Sequence, residues 1–167
     1  MKRLYFSYGS NMSVRRLSDR VPSAKVMSTT RLYEHQLKFH KKSKKDGSAK
    51  CDVFYTGNDE HVVHGVVFEI NEDDKETLDR CEGCGSGYEE KTVTLELVDG
   101  DTIEAFTYYA TNIDPSLKPF HWYKEHVIRG AKEHSLPDDY VRMIQQVESF
   151  DDPDKERHIK EMSIYND

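Results

Sequence analysis

Up to residue 110 the chain is cut into short pieces by turn chemistry, and this punctuation limits its fold more than any other feature. The cuts fall at Gly9-Ser10-Asn11, Asp46-Gly47-Ser48, Gly57-Asn58-Asp59 and Asp99-Gly100-Asp101. The runs between them carry the aromatic and β-branched residues that suit strands. Strands are predicted at Leu4–Tyr8, Arg31–His40, Cys51–Thr56, Val62–Ile70, Tyr88–Val98 and Thr102–Ala110. Gly57-Asn58-Asp59 and Asp99-Gly100-Asp101 each read as the turn of a hairpin. A short helix is expected from Met12 to Asp19, stopping before Pro22. A second should run from an Asn71 cap through Cys81, with Asp73, Asp74 and Glu76 suiting its positive end.

After residue 110 the period changes. Phe120, Tyr123, Val127 and Ala131 share one helical face, and Pro137-Asp138-Asp139 opens a further helix through Val147. Strands first and helices last imply an α+β fold around a mainly antiparallel, curled sheet. No repeat or linker divides the chain, so residues 1–150 are expected to form one domain and 151–167 a polar, loosely held tail.

The 167 residues suffice for one hydrophobic core without metal or disulfide staples. No stretch reaches the ~18–20 apolar residues of a membrane span, and the N-terminus lacks a signal-peptide cleavage site. The expected setting is therefore cytoplasmic, without a membrane partner. The 31 acidic against 24 basic residues, a formal charge of −7, argue against nucleic-acid binding by the whole surface. Lys38, Lys41, Lys42, Lys44, Lys45 and Lys50 do form one basic stretch. With no aromatic interleaved from 41 to 50, it reads as a solvated hairpin loop rather than a base-stacking patch. Three cysteines cannot all pair within one chain. Cys81-x-x-Cys84 follows a helix, whereas redox pairs favour a helix N-terminus. His61 and His64 point to opposite faces of a strand, so a zinc set is not assembled and no metal is expected.

Two segments could carry chemistry. In Tyr8-Gly9-Ser10-Asn11-Met12, a glycine between strand and helix would leave N–H groups facing outward, suited to a carboxylate or phosphate. A plain turn with Ser10 or Asn11 as cap explains the same residues. Glu82 lies between a helix end and a loop holding Gly83, Gly85 and Gly87. Partial burial there would favour the protonated carboxyl and suit a general acid/base. With 31 acidic residues in the chain, a solvated helix-end carboxylate is the plainer alternative. There is no G-x-S-x-G, P-loop or H-E-x-x-H, so an enzyme of this sequence should not depend on an activated protein nucleophile.

Leu4-Tyr5-Phe6-Ser7-Tyr8-Gly9-Ser10-Asn11-Met12 resembles the N-terminal signature of the gamma-glutamylcyclotransferase family. His64-Gly65-Val66-Val67-Phe68, Leu78-Asp79 with Glu82-Gly83, and Gly130 to Pro137 with Tyr140 resemble later family segments, in order, over residues 3 to 148. The resemblance implies a small mixed, mostly antiparallel, barrel-like sheet with flanking helices. It implies release of 5-oxoproline from gamma-glutamyl amino acids or peptides, by attack of the substrate's own alpha-amine. Glu82 would be the acid/base, and Tyr8, Gly9, Ser10, Asn11, Met12, Tyr88 and Tyr123 would bind substrate. No cofactor is implied, and a homodimer is compatible. Another gamma-glutamyl amine or acylated intermediate as substrate, or a non-catalytic binding module on the same fold, are the alternatives.

Overall fold

The computed structural model describes residues 1–166. Five strands close into a barrel: β1 (Lys2–Ser7), β2 (Lys25–Tyr33), β5 (Val62–Asn71), β6 (Tyr88–Leu97) and β7 (Thr102–Ala110), in the order β1-β5-β2-β6-β7. Every pairing is antiparallel except the seam, where β1 meets β7 in parallel at Tyr5 and Phe106. A second, two-stranded sheet is made by β3 (His35–Lys42) and β4 (Ala49–Tyr55). Both faces of the closed sheet are covered: Phe6 and Val67 on one and Phe68 and Ile70 on the other are, like Leu95, essentially inaccessible. At Gly65 the sheet leaves no room for a side chain. A Cβ there would lie 2.5 Å from the Phe6 ring and from the Ser7 carbonyl oxygen.

The expected strand Arg31–His40 is in fact two. Glu34 adopts φ 67°, breaking β2 from β3. Its amide donates to the His61 carbonyl at 2.9 Å, and its carbonyl accepts from Thr56 N at 2.8 Å. Those bonds hold an otherwise disfavoured backbone and turn the chain out of the barrel. The expected hairpin at Gly57-Asn58-Asp59 does not form either. Both edges of β5 are taken, by β1 and by β2, so Cys51–Thr56 pairs back with β3 instead. The lysine-rich stretch is then the β3–β4 connection. The hairpin around Asp99-Gly100-Asp101 is present, joining β6 to β7 in nine-residue register.

Helix α2 (Glu72–Glu82) starts after Asn71, but the Asn71 side chain makes no capping bond. Its Oδ1 accepts from Lys2 Nζ at 2.5 Å. Gly83, at φ 67°, ends the helix in the left-handed conformation that glycine adopts without strain. Helix α1 (Val14–Arg20) begins later than expected, because a 3-10 turn at Ser10–Met12 intervenes. Helix α3 (His121–Glu133) packs on that turn through Gly130, whose Cβ would lie 2.6 Å from Met12 Cβ. Tyr123, Val127 and Ala131 face the core, as their spacing predicts. Helix α4 (Asp138–Gln145) follows, two residues shorter than expected.

The tail was expected to be loosely held, and the structure corrects this. Residues Lys155–Met162 form α5, capped by Asp154 accepting from Arg157 N. Buried Asp152 accepts from Trp122 Nε1 at 2.9 Å and from Arg157 at 2.5 and 2.6 Å. Glu161 meets Arg16 at 2.6 Å and His126 at 3.1 Å. Its polarity serves ion pairs, so a polar composition did not mean a free segment. No helix of the described residues is long and apolar enough to cross a membrane.

Candidate active site

Three parts of the chain meet at one end of the barrel. The Ser10–Met12 turn leaves β1, the C-terminal end of α2 delivers Glu82, and β4 passes beneath at Cys51. Between them is a cleft with an empty volume of about 280 Å³. It brings together Tyr8, Gly9, Ser10, Asn11, Glu82, Tyr88 and Tyr123 from the sequence analysis. Met12 is not in the lining. It is fully buried beneath the turn, against Gly130, and supports the loop from behind.

Glu82 is half-buried, and its Oε1 accepts a hydrogen bond from Asn11 Nδ2. The same Asn11 amide nitrogen donates to Tyr5 Oη at 3.2 Å. Asn11 is itself buried, and its Oδ1 has no partner among the described residues. An unpaired buried amide oxygen costs roughly 1–3 kcal/mol unless a ligand or water donates to it. The second Glu82 oxygen, Oε2, receives no bond from the described residues either. The bonded Asn11–Glu82 pair thus keeps two acceptor positions open beside a neutral wall.

That wall is aromatic. Tyr5, Tyr8, Tyr88, Tyr108 and Tyr123 surround the carboxylate. Burial raises all five hydroxyls far above the ordinary tyrosine range, and the nearby Glu82 charge adds to the effect. They are neutral at any working pH. Tyr8 Oη donates to the Tyr108 carbonyl at 2.6 Å, and Tyr108 Oη donates to Asp79. Tyr88 and Tyr123 grip one residue between them. Tyr88 Oη donates to the Cys51 carbonyl at 2.5 Å, and the Cys51 amide donates to Tyr123 Oη at 2.9 Å. Cys51 is also pushed up by burial, so its thiol stays protonated and is a poor nucleophile. Among the described residues, no histidine lines the cleft.

Gly9 is required here for proximity rather than for a left-handed backbone. Its φ is −117°, but a Cβ would stand 3.1 Å from Cys51 Cβ and 3.6 Å from Tyr123 Oη. In the turn, Met12 N and Ser13 N donate back to Gly9 and Ser10 carbonyls. Those bonds leave the Ser10 and Asn11 amides uncommitted within the turn, beside Glu82. Tyr5, Cys51 and Tyr108 also line the cleft, though the sequence does not mark them as site residues. Tyr5 and Tyr108 sit in aromatic-rich strands, where nothing in the sequence sets them apart from core tyrosines. Nothing in the sequence placed Cys51, because its strand was assigned to the wrong partner.

The cleft opens on a wider vestibule of about 1060 Å³ empty volume, sharing Ser10, Glu82, Tyr88 and Tyr123 with it. The β3–β4 connection and α5 form its sides. Cys81 borders it, while Cys84 is exposed on the loop after α2, and burial with nearby carboxylates disfavours the Cys84 thiolate. Among the described residues, no three His, Cys, Asp or Glu side chains are grouped to hold a metal ion.

The AIG2-like family model matches residues 62–144. The chain is 35% identical to gamma-glutamylcyclotransferase of Bos taurus over 153 residues, 89% of this chain and 80% of that protein. It is 33% identical to the Homo sapiens gamma-glutamylcyclotransferase over the same shares. A solved structure of a gamma-glutamyl cyclotransferase superposes with TM-score 0.83 at 31% identity, covering 90% of both chains.

Proposed function

Because the chain belongs to the gamma-glutamylcyclotransferase family, we propose that it releases 5-oxoproline from gamma-glutamyl amino acids or peptides, with Glu82 as general acid/base. The observation that carries this reading is the Asn11–Glu82 pair set in a neutral tyrosine cage, with Glu82 Oε2 and Asn11 Oδ1 both open. A protonated alpha-amine is a donor to both oxygens at once. Binding it there would satisfy Asn11 Oδ1 and hold the amine against its future base.

The chemistry then needs little else. Glu82 Oε2 takes a proton from the ammonium, and the free amine attacks the substrate's own gamma-carbonyl. A bond forms from the alpha-nitrogen to the gamma-carbon, closing a five-membered ring. The same carboxyl next gives its proton to the departing nitrogen, and that carbon–nitrogen bond breaks as the oxyanion collapses to a carbonyl. The freed carboxylate takes the extra proton still on the ring nitrogen and passes it to the released amine, which leaves as an ammonium. One group serves as base and then acid. The nucleophile is tethered to its target, so much of the entropy of approach is already spent. A protein nucleophile would be redundant, which agrees with a buried, protonated Cys51 and a cleft without histidine. The uncommitted amides of Ser10 and Asn11 are suited to the substrate carboxylate or the developing oxyanion. Tyr88 and Tyr123 would contribute shape and dryness, since each already serves the Cys51 backbone.

The test is direct. The protein should release 5-oxoproline from a set of gamma-glutamyl dipeptides or from glutathione, and none from the same compounds acetylated on the alpha-nitrogen. Release from the acetylated compounds would show that the amine is not the nucleophile. No release from any free compound would leave the non-catalytic binding module as the better description.

A further inference from the structure

In an acidic protein, the mouth of this site is basic. Eight Lys and Arg side chains and three carboxylates line the vestibule, against 24 and 31 in the whole chain. Pairing accounts for half of these cations. Arg16 is matched by Glu161, Lys50 by Asp46, Arg80 by Glu76 and Arg157 by Asp152. Arg20, Lys41, Lys44 and Lys45 have no carboxylate within ion-pair distance among the described residues, and Lys44 reaches only the Ser86 hydroxyl, at 2.6 Å.

Lys41 is the telling member. It is only 7% exposed, and its ammonium rests over the Tyr88 ring at 4.7 Å with no carboxylate of the described residues within ion-pair distance. Burial lowers its pKa, with the more distant Glu82 and Asp46 charges acting against that. Burying an unpaired ammonium is costly, and a tyrosine face offsets only part of that cost. Tyr88 borders both the cleft and the vestibule, so Lys41 stands where a bound substrate passes from one to the other. The glutamyl half of any substrate occupies the inner cleft. Whatever enters the vestibule is the half that leaves.

We propose that this leaving half is itself acidic: the protein takes gamma-glutamyl conjugates whose released amine carries two or more carboxylate or phosphate groups, seated by Lys41 and the basic wall of the β3–β4 connection. The inference rests on the cyclotransferase reading and names the substrate class of that same site. The single carboxylate of an ordinary released amino acid would answer only one of four unpaired cations. The lysine-rich connection, which by sequence alone was a solvated loop, becomes the recognition element.

Matched pairs of substrates isolate the charge. Gamma-glutamyl-glutamate is compared with gamma-glutamyl-glutamine, and gamma-glutamyl-phosphoserine with gamma-glutamyl-serine, reading 5-oxoproline at low ionic strength. The acidic member of at least one pair should show a kcat/KM higher by about tenfold or more, mostly through KM, as expected for charge-assisted contacts. The pair with the larger ratio tells carboxylate from phosphate. High salt should shrink the ratio, and so should Lys41→Met. Should Lys41→Met fail to fold, the exposed Lys44→Gln/Lys45→Gln double variant must narrow the ratio instead. Equal kcat/KM within both pairs would overturn the inference while leaving the cyclotransferase reading intact. A preference that survives both variants at full size would overturn the assignment to these lysines. No release from any of the four compounds would overturn the cyclotransferase reading, and the inference with it.

Discussion

Replacing Glu82 with Gln removes a negative charge from the cleft while keeping nearly the same shape. The structure allows both consequences to be sized. Asn11 Nδ2 donates to Glu82 Oε1, and a glutamine carbonyl can accept the same bond. What changes is its strength, from charge-assisted at ~1.5–3 kcal/mol to neutral at ~0.5–1.5 kcal/mol. Glu82 is only half-buried, which moderates the difference further. The fold should therefore lose about 1 kcal/mol, a shift of roughly 2–4 °C in Tm for a chain of this size. Catalysis should lose far more. A positioned acid/base contributes ~10²–10⁴ in rate, equivalent to about 2.7–5.4 kcal/mol of barrier. KM should rise as well, because a glutamine whose carbonyl accepts from Asn11 turns its NH2 group toward the position proposed for the substrate ammonium, leaving Asn11 Oδ1 as the acceptor there. Glu82→Asp keeps the charge but draws the carboxylate back by one methylene, and a displacement of ~1 Å costs on the order of 10². Thermal melts and 5-oxoproline release, measured on the same preparations, separate the two effects. A folded Glu82→Gln protein that releases 5-oxoproline at near the parental rate would refute the argument, and the proton carrier would have to be another group in the cleft.

Gly130→Ala should lower stability by ~1–3 kcal/mol, since its Cβ would come within 2.6 Å of Met12 Cβ and 2.8 Å of Ser13 N. Because the displaced turn carries Asn11, KM for gamma-glutamyl dipeptides should rise as well, which kinetics alongside a denaturant titration will reveal. Asp152→Asn should free Arg157 and weaken the seat of α5 by ~1–3 kcal/mol, read as faster proteolysis after residue 150 with the barrel intact. Acid should act on the same region. Burial pushes the Glu161 carboxyl up, but the His126 hydrogen bond and the Arg16 charge outweigh it and hold it down at about 2. A depressed carboxyl contributes stability that is present above its unfolded value of ~4.3 and lost as pH falls through the folded one. Melting temperature should thus decline from about pH 4 toward pH 2, and in an Arg16→Ala variant this decline should be shallower.

The sequence made the β6–β7 hairpin, the α3 face and, to within one residue, the end of α2 legible, because each is decided by residues close together in the chain. The turn triplet Asp99-Gly100-Asp101 sits between two alternating runs and needs no tertiary help. Where local and distant preferences compete, the local reading fails. Gly57-Asn58-Asp59 is sound hairpin chemistry, but β5 has no free edge for β4. Glu34 looks like one more residue of an alternating strand until His61 and Thr56 bind its backbone. The tail's charges looked like solvation, and their partners Arg16, Trp122 and His126 lie far upstream. In the cleft, Glu82 and the Tyr8–Asn11 loop were visible through the family resemblance. Tyr5 and Tyr108 alternate within strands like core residues, and no sequence pattern tells a tyrosine facing a core from one facing a cleft.

The seam of the barrel has a kinetic meaning. Strand β1 meets β5 along six residue pairs but meets β7 only at Tyr5 and Phe106, with Thr107 Oγ1 donating to the Phe6 carbonyl at 2.8 Å. That junction joins residues 101 positions apart, a closure whose entropic cost must be met before its contacts help. Asn11 follows one side of the seam, and Tyr108 lies on the other. The cleft therefore comes into being at the moment of closure, and any excursion that parts β1 from β7 dismantles it. Amide exchange at Tyr5 and Phe106 should keep time with the opening of the cleft, since closing the seam in folding and parting it in a native excursion are one event read in opposite directions.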